Sequence, residues 1–190
     1  LHKDIFALDT HIDTPMLLIQ PDWNVAELHS PGGQYKSRVD LPRMRQGGLD
    51  AAFFAVYVGQ KKRNPENYLL AENEADKMIK AIHDMCAIFP SQIKLAIHPD
   101  QALENKKQGL LTAFIGLENG FPLAQDVAKL GKYYDQGVRY VTLCHTSNND
   151  LCDSANDVPE HHGLSDFGRE VVSAMNRLGM MIDVSHISDK

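Results

Sequence analysis

The chain has 190 residues, 43% hydrophobic and 23% charged, with a formal net charge of -6 and a pI near 5.8. That is enough apolar material for one sizeable core and too little charge for a disordered chain, and with no basic stripe to neutralise phosphates it argues against a nucleic-acid partner. The longest apolar runs, such as Leu49 to Val58, fall far short of the roughly 20 residues that span a bilayer, so no transmembrane segment is expected, and no basic-then-apolar leader is visible.

The three cysteines, Cys86, Cys144 and Cys152, are odd in number and lack CxxC spacing, so they read as buried or semi-buried free thiols. Such low cysteine use leans towards a reducing compartment, the cytoplasm, and leaves secretion and the periplasm open. The chain begins at Leu1 rather than Met and stops just after Ser185-His186-Ile187-Ser188. A piece of a longer protein is therefore expected.

In chain order, Ile5 to Asp13 opens as a strand near 5–10 with His11 and Asp13 at its end. Residues 14–38 form a long loop in which Trp23 reads as a packed aromatic rather than a wall of a site. Leu41 to Gly48 is a helical run stopped by glycine, followed by an apolar strand over 49–58. Asn64-Pro65-Glu66 supplies an N-cap, a first-turn proline and an early acid. The apolar spacing that follows, from Ala71 through Met78 and Ile82 to Phe89, predicts an amphipathic helix. Residues 93–97 are a short strand or extended link, and Asp100 is expected to cap a small helix ending before Gly109.

A strand over 110–117 then leads to Glu118. Pro122 is expected to open a helix whose apolar face, Leu123, Val127, Leu130 and Tyr134, runs to Gly137, and a strand over 138–144 leads to His145. Ser165 caps the last helix, with Phe167, Val171, Ala174, Met175 and Leu178 inward and Gly179 at its end. A strand over 180–185 follows, and then His186.

These strands are nearly continuous apolar runs, the pattern of a parallel sheet buried on both faces. Four times a helix stops at glycine, a strand follows, and chemistry usually stands at its far end. That is the (β/α)8 TIM-barrel type of the metal-dependent hydrolase kind, which keeps its active site at the C-terminal ends of its strands. Five strands against the eight of a closed barrel make it incomplete, and residues 1–190 read as one catalytic domain, the N-terminal part of a barrel truncated at its C-terminal end.

His11 and Asp13, two apart at a strand end, point the same way and can bind one cation together. Glu118 leaves a carboxylate at the mouth of the sheet, where burial demands a compensating cation. A salt bridge to Arg139 is the competing explanation, disfavoured because Arg139 begins its strand and Glu118 ends its own. With His186 these residues look like two adjacent metal sites sharing a carboxylate, of the types that hold zinc. His145 is a ligand, an oxyanion donor or a polar core residue, and spacing does not choose. His161 and His162 are read as solvent-exposed, and His2, His29, His83 and His98 lack strand-end context. No GxSxG elbow, phosphate loop, GxGxxG fingerprint or HExxH helix occurs, which removes the serine-hydrolase, nucleotide and zincin readings.

The segments DTHIDTP, RVDLPRMRQGGLDAAFFAVYV, FIGLENG, YVTLCHTSNND and GLSDFGREVVSAMNRLGMMIDVSHISD together resemble the renal or membrane dipeptidases, zinc peptidase family M19. The resemblance implies a zinc-dependent dipeptidase working through a hydroxide held between two zinc ions, with D-residues accepted at the C-terminal position. It implies that His11 and Asp13 bind one zinc, Glu118 bridges both ions, His186 binds the second, and His145 contacts the substrate. The family uses a further histidine, an arginine and an aspartate that this sequence does not reach, so the fragment alone is expected to be inactive. A dipeptide is the implied substrate, and a homodimer is among the states open to it. The rivals are another amidohydrolase, against which His-x-Asp in place of His-x-His argues, and a non-catalytic binding protein on the same fold.

Overall fold

The computed structural model describes residues 4–190, so His2 lies outside it. The elements are β1 (Leu8–Ile12), α1 (Pro15–Leu18), α2 (Leu41–Gly47), β2 (Ala51–Tyr57), α3 (Pro65–Ile88), β3 (Ile93–Leu95), α4 (Pro99–Lys107), β4 (Leu111–Glu118), α5 (Lys129–Asp135), β5 (Val138–Thr142), α6 (Asp166–Leu178) and β6 (Met181–Asp183). The chain divides into two compact units, 1–56 with 77–115 and 57–76 with 116–190. No helix among the described residues is long and apolar enough to cross a membrane.

In the first unit β1 pairs parallel with β2, Leu8 opposite Ala51, and the register shifts between Asp9 and Ile12. β3 pairs parallel with the start of β4, Ile93 opposite Leu111, and the order here is β1-β2-β4. β2 is buried along six of its seven residues, as its unbroken apolar run predicts for a strand covered on both faces. Phe53 stacks on Phe114 at 4.9 Å between centroids. Asp40 caps α2: its fully buried carboxylate accepts from Arg43 N at 2.8 Å and from Arg43 Nε at 2.7 Å, so a charge out of water is held by charge-assisted bonds.

In the second unit the order is β4-β5-β6, with Tyr140 opposite Met181 and Thr142 opposite Asp183 in parallel register. Thr142 Oγ1 donates to Asp183 Oδ2 at 2.6 Å. Gly116 is required by packing: a Cβ there would stand 2.1 Å from the Tyr140 ring. Lys129 and Lys132 reach Glu72 and Asp76 at 2.7 Å, tying α5 to the N-terminal half of α3.

Parallel strands alternating with helices make this an incomplete barrel-type α/β fold, as the sequence pattern implies. The repeated stop signal is real. Gly48, Gly109, Gly137 and Gly179 each take a positive φ between 70° and 99° immediately before a strand, a conformation in which any other residue would strain its Cβ.

Three expectations need correction. Asp100 is not the cap of α4. Pro99 takes the first helical position, His98 Nδ1 accepts from Asp100 N at 3.3 Å, and Gln101 Oε1 accepts from His98 N at 3.1 Å, a capping box built on histidine. The helix expected from Pro122 to Gly137 is broken. Phe121–Leu123 form one 3-10 turn, Ala124 and Gln125 turn to φ 49° and 60°, and only Lys129–Asp135 is α-helical, burying Leu130 and Tyr133 rather than Tyr134. His161 is half-buried, its Nε2 2.9 Å from the Asn149 carbonyl. Trp23 is packed as expected, buried and stacked on His29 at 5.0 Å.

Candidate metal centre

Within the second unit, β4 ends in Glu118, the chain leaving β5 carries His145, and the chain leaving β6 carries His186. Each of the three offers one ligand atom, and these atoms all lie within 4.8 Å of one another. Glu118 is 4% exposed, and its Oε1 stands 3.5 Å from His145 Nε2 and 3.5 Å from His186 Nε2. That separation is long for a hydrogen bond. It fits two ligands of one tetrahedral cation, whose bonds of about 2.0–2.2 Å place neighbouring donors roughly 3.4 Å apart. The two imidazoles face each other at 4.3 Å between centroids, tilted by 53°. A buried carboxylate with two imidazole nitrogens converging on one of its oxygens is a donor set that suits zinc.

The competing partner for Glu118 is occupied elsewhere: Arg139 lies over the Tyr134 ring at 4.0 Å and donates to the Tyr134 and Val138 carbonyls. Glu118 is therefore set by its neighbours at the strand ends.

The turns that carry these side chains are fastened by amides and one carboxylate. Asn119, at φ 78°, donates to the Val58 carbonyl at 2.9 Å and accepts from Asn149 Nδ2 at 2.9 Å. Asn149 also donates to the Leu143 carbonyl at 2.7 Å, so one buried side chain joins the ends of β4 and β5. Ser154 Oγ donates to the His145 carbonyl at 2.6 Å, and Ala155 N donates to the His186 carbonyl at 2.9 Å. The segment after β5 thus positions both histidines. Asp153 anchors it: burial would raise its pKa, but backbone N–H groups of His161, Glu160 and Gly163 hold it down at about 2.

Tyr57, the last residue of β2, stands edge-on to the His145 ring at 4.8 Å. Burial, and then the negative charge of Glu118, raise its pKa, so it remains a neutral hydrogen-bond donor at neutral pH. Sequence reading passed over it because a tyrosine in an apolar strand looks like core; its place at the strand's C-terminal end was the available signal.

In the first unit, His11 and Asp13 come together as their spacing predicts, His11 Nε2 lying 3.4 Å from Asp13 Oδ1. Both line a groove of about 370 Å³ that also takes in Met16, Tyr35, Lys36 and Arg38. The Asp13 side chain is 67% exposed.

A family model described as membrane dipeptidase, peptidase family M19, matches residues 1–190. The chain belongs to this family. It is 34% identical over 194 residues to dipeptidase 3 of Mus musculus, spanning all of this chain and 38% of that protein. It is 32% identical over 174 residues to dipeptidase tcpJ of Claviceps purpurea, spanning 89% of this chain and 41% of that protein. Among solved structures it resembles the probable dipeptidase PvdM of Pseudomonas aeruginosa, with a TM-score of 0.87 and 28% identity over all of this chain and 48% of that one. A metallo peptidase from Rhodobacter sphaeroides, solved with a phosphinate mimic of the dipeptide L-Ala-D-Ala, shares the fold with a TM-score of 0.83 at 22% identity, over 98% of this chain and 60% of that one. This M19 chain spans less than half the length of the two curated relatives.

Proposed function

We propose that the protein carrying this chain is a zinc-dependent dipeptidase that hydrolyses the peptide bond of dipeptides, including those with a D-residue at the C-terminal position. The observation that carries the reading is the buried Glu118 carboxylate with His145 and His186 nitrogens each 3.5 Å from the same oxygen. Membership of the M19 family supports it. On the family pattern, His11 and Asp13 would hold one zinc, Glu118 would belong to both ions, and His186 would hold the second.

Zinc at such a site supplies a water acidic enough to lose its proton near neutral pH and a Lewis acid for the scissile carbonyl. The protein's part is to place the substrate and receive the developing charge. His145, braced by the Tyr57 ring edge and by Ser154 on its own carbonyl, would donate a hydrogen bond to the carbonyl oxygen as it gains charge. Tyr57, kept protonated by burial and by Glu118, offers a second donor beside it. Because the amides of Asn119 and Asn149 bind the turns to one another, these groups meet the substrate already oriented, without reorganisation during reaction.

His145 lies as close to Glu118 as His186 does, which favours a second reading in which His145 is itself a ligand. Glu118→Gln and His145→Ala separate the two. If His145 faces the substrate, Glu118→Gln loses metal while His145→Ala keeps metal and loses turnover. Equal metal loss in both variants would make His145 a ligand. The activity itself is tested on the full-length protein with parallel panels of dipeptides, with L- and D-residues at the C-terminal position, and of lactones; cleavage of lactones alone would overturn the dipeptidase reading.

A further inference from the structure

The groove that holds His11 and Asp13 also contains two cations that the mechanism above does not use. It lies within the first unit, has a volume of about 370 Å³ and is lined by Asp9, His11 and Asp13 from the end of β1 and by Tyr35, Lys36 and Arg38 from the loop before α2. Both acids are engaged: Asp9 Oδ1 accepts from His11 N at 3.0 Å, and Asp13 Oδ1 lies 3.4 Å from His11 Nε2. The cations are not. Neither Lys36 nor Arg38 makes a side-chain hydrogen bond or ion pair with any described residue. In a chain with 25 acids against 19 lysines and arginines, two unpaired cations in one groove are a local positive field that favours an anion.

The loop presents these charges from a fixed backbone. Ser37, between them, is 2% exposed. Arg43 Nη2 donates to its carbonyl at 3.0 Å and to its Oγ at 3.2 Å, and Ser37 Oγ donates to the Val39 carbonyl at 2.9 Å. Arg43 is held in turn by the buried Asp40. Lys36 N donates to the Gly33 carbonyl at 3.0 Å, and Lys36 is kept at φ 48°. That conformation is disfavoured for a residue with a Cβ, and such outliers concentrate where a ligand is gripped.

We propose that Lys36 and Arg38 are specificity-determining residues that select dipeptides with an acidic side chain, Asp or Glu, by binding its carboxylate in this groove. The proposal rests on the dipeptidase reading above. A guanidinium offers a carboxylate a planar fork of donors, and the lysine adds a point charge. Met16 and Leu17 line the same groove and supply apolar surface for the side-chain methylenes. The neutral isostere Gln carries no charge and turns one acceptor into a donor, so it would leave the cations poorly matched.

The test measures kcat/KM of the full-length protein for Glu-Ala and Ala-Glu against Gln-Ala and Ala-Gln, pairs alike in shape and different in charge. Glu should be preferred over Gln by at least about fivefold in one of the two orders. The double variant Lys36→Gln with Arg38→Gln should bring that ratio to about one, while Arg38→Lys alone keeps most of it. Lys36→Glu with Arg38→Glu should place Lys-bearing dipeptides above their Gln counterparts. Each figure is a ratio within one protein, so partial loss of metal or of folded protein cancels.

A wild-type ratio near one would overturn the proposal. So would a ratio that survives the double variant, because the preference would then arise elsewhere. Equal losses for Glu and Gln substrates would show the cations serving the main-chain carboxylate that every dipeptide carries, and would also overturn it. Protein that cleaves no dipeptide would defeat the dipeptidase reading, and calorimetric titration with the same uncleaved dipeptides would then decide the groove. Tighter binding of the Glu partner, lost in the double variant, supports the assignment, and equal binding of Glu and Gln partners ends it.

Discussion

The two groups of candidate ligands differ in how much of their geometry is imposed. Glu118 is buried, faces two imidazoles and stands on turns tied by Asn119, Asn149 and Asp153. His11 and Asp13 sit at the end of β1, a strand with three of its five residues exposed, and Asp13 keeps most of its surface in water. An exposed His–Asp contact needs no further explanation and adds little stability. A buried carboxylate among imidazoles does need one, because its charge has left water. The buried group argues for a cation from geometry alone, and the exposed pair acquires meaning from its family.

The largest effect should come from striking the platform beneath the buried group. A Cβ on Gly168 would stand 2.0 Å from the Leu151 carbonyl oxygen, so Gly168→Ala forces α6 away from the turn and should cost about 3 kcal/mol, read as a lower urea midpoint. Next, if the proposed pair of zinc sites shares Glu118, Glu118→Gln should weaken zinc binding by at least about 100-fold, beyond what outer-shell changes cost, and remove metal from both sites. On the same proposal Asp13→Asn should remove metal from one site and leave the stability of the metal-free protein within about 0.5 kcal/mol. Equal metal loss from the two variants, by elemental analysis and chelator competition, would erase the contrast between them.

A smaller effect concerns pH. With the Asp153 carboxyl held at about 2 against an ordinary value of 3.8, its contribution is fully present above the ordinary value and is lost as pH falls through about 2. Asp153→Asn should therefore be less stable than wild type at pH 6, with the gap closing between pH 4 and 2 in chemical-denaturation curves. A gap of constant size would mean that the backbone N–H groups do not hold the charge. The smallest effect is Gly131→Ala in α5, where a Cβ meets nothing within 4 Å. It should stabilise by about 0.5–1 kcal/mol, measured as a raised melting temperature.

Strand positions and glycine stops were legible because each is a local signal: an apolar run, or a residue that alone tolerates positive φ. The candidate ligand residues stood out in the sequence for the same reason, being polar groups at the ends of such runs. What escaped depended on contacts between distant residues. The broken helix after Pro122 follows from left-handed turns at Ala124 and Gln125, which their side chains do not announce. Gln125 is held there by Asp150, to whose carboxylate it donates at 2.7 Å. The hydrogen bond from the Asn149 side-chain amide to that of Asn119 spans 30 positions, and the cap of α4 was missed because histidine rarely serves as one. His161 seemed exposed because its loop is polar, yet the anchoring of that loop by Asp153 draws the ring towards the Asn149 carbonyl.

Every registered strand pairing described here is parallel, and partners are far apart along the chain: Leu8 waits for Ala51, and Tyr140 for Met181. Such contacts are entropically expensive until most of the intervening polypeptide has collapsed, so refolding should be slow and crowded with sticky intermediates. A ribosome emitting the chain from its amino end would hold β1 idle until β2 emerged, which makes the order of synthesis, and any chaperone shielding β1, part of how the candidate ligands are brought together.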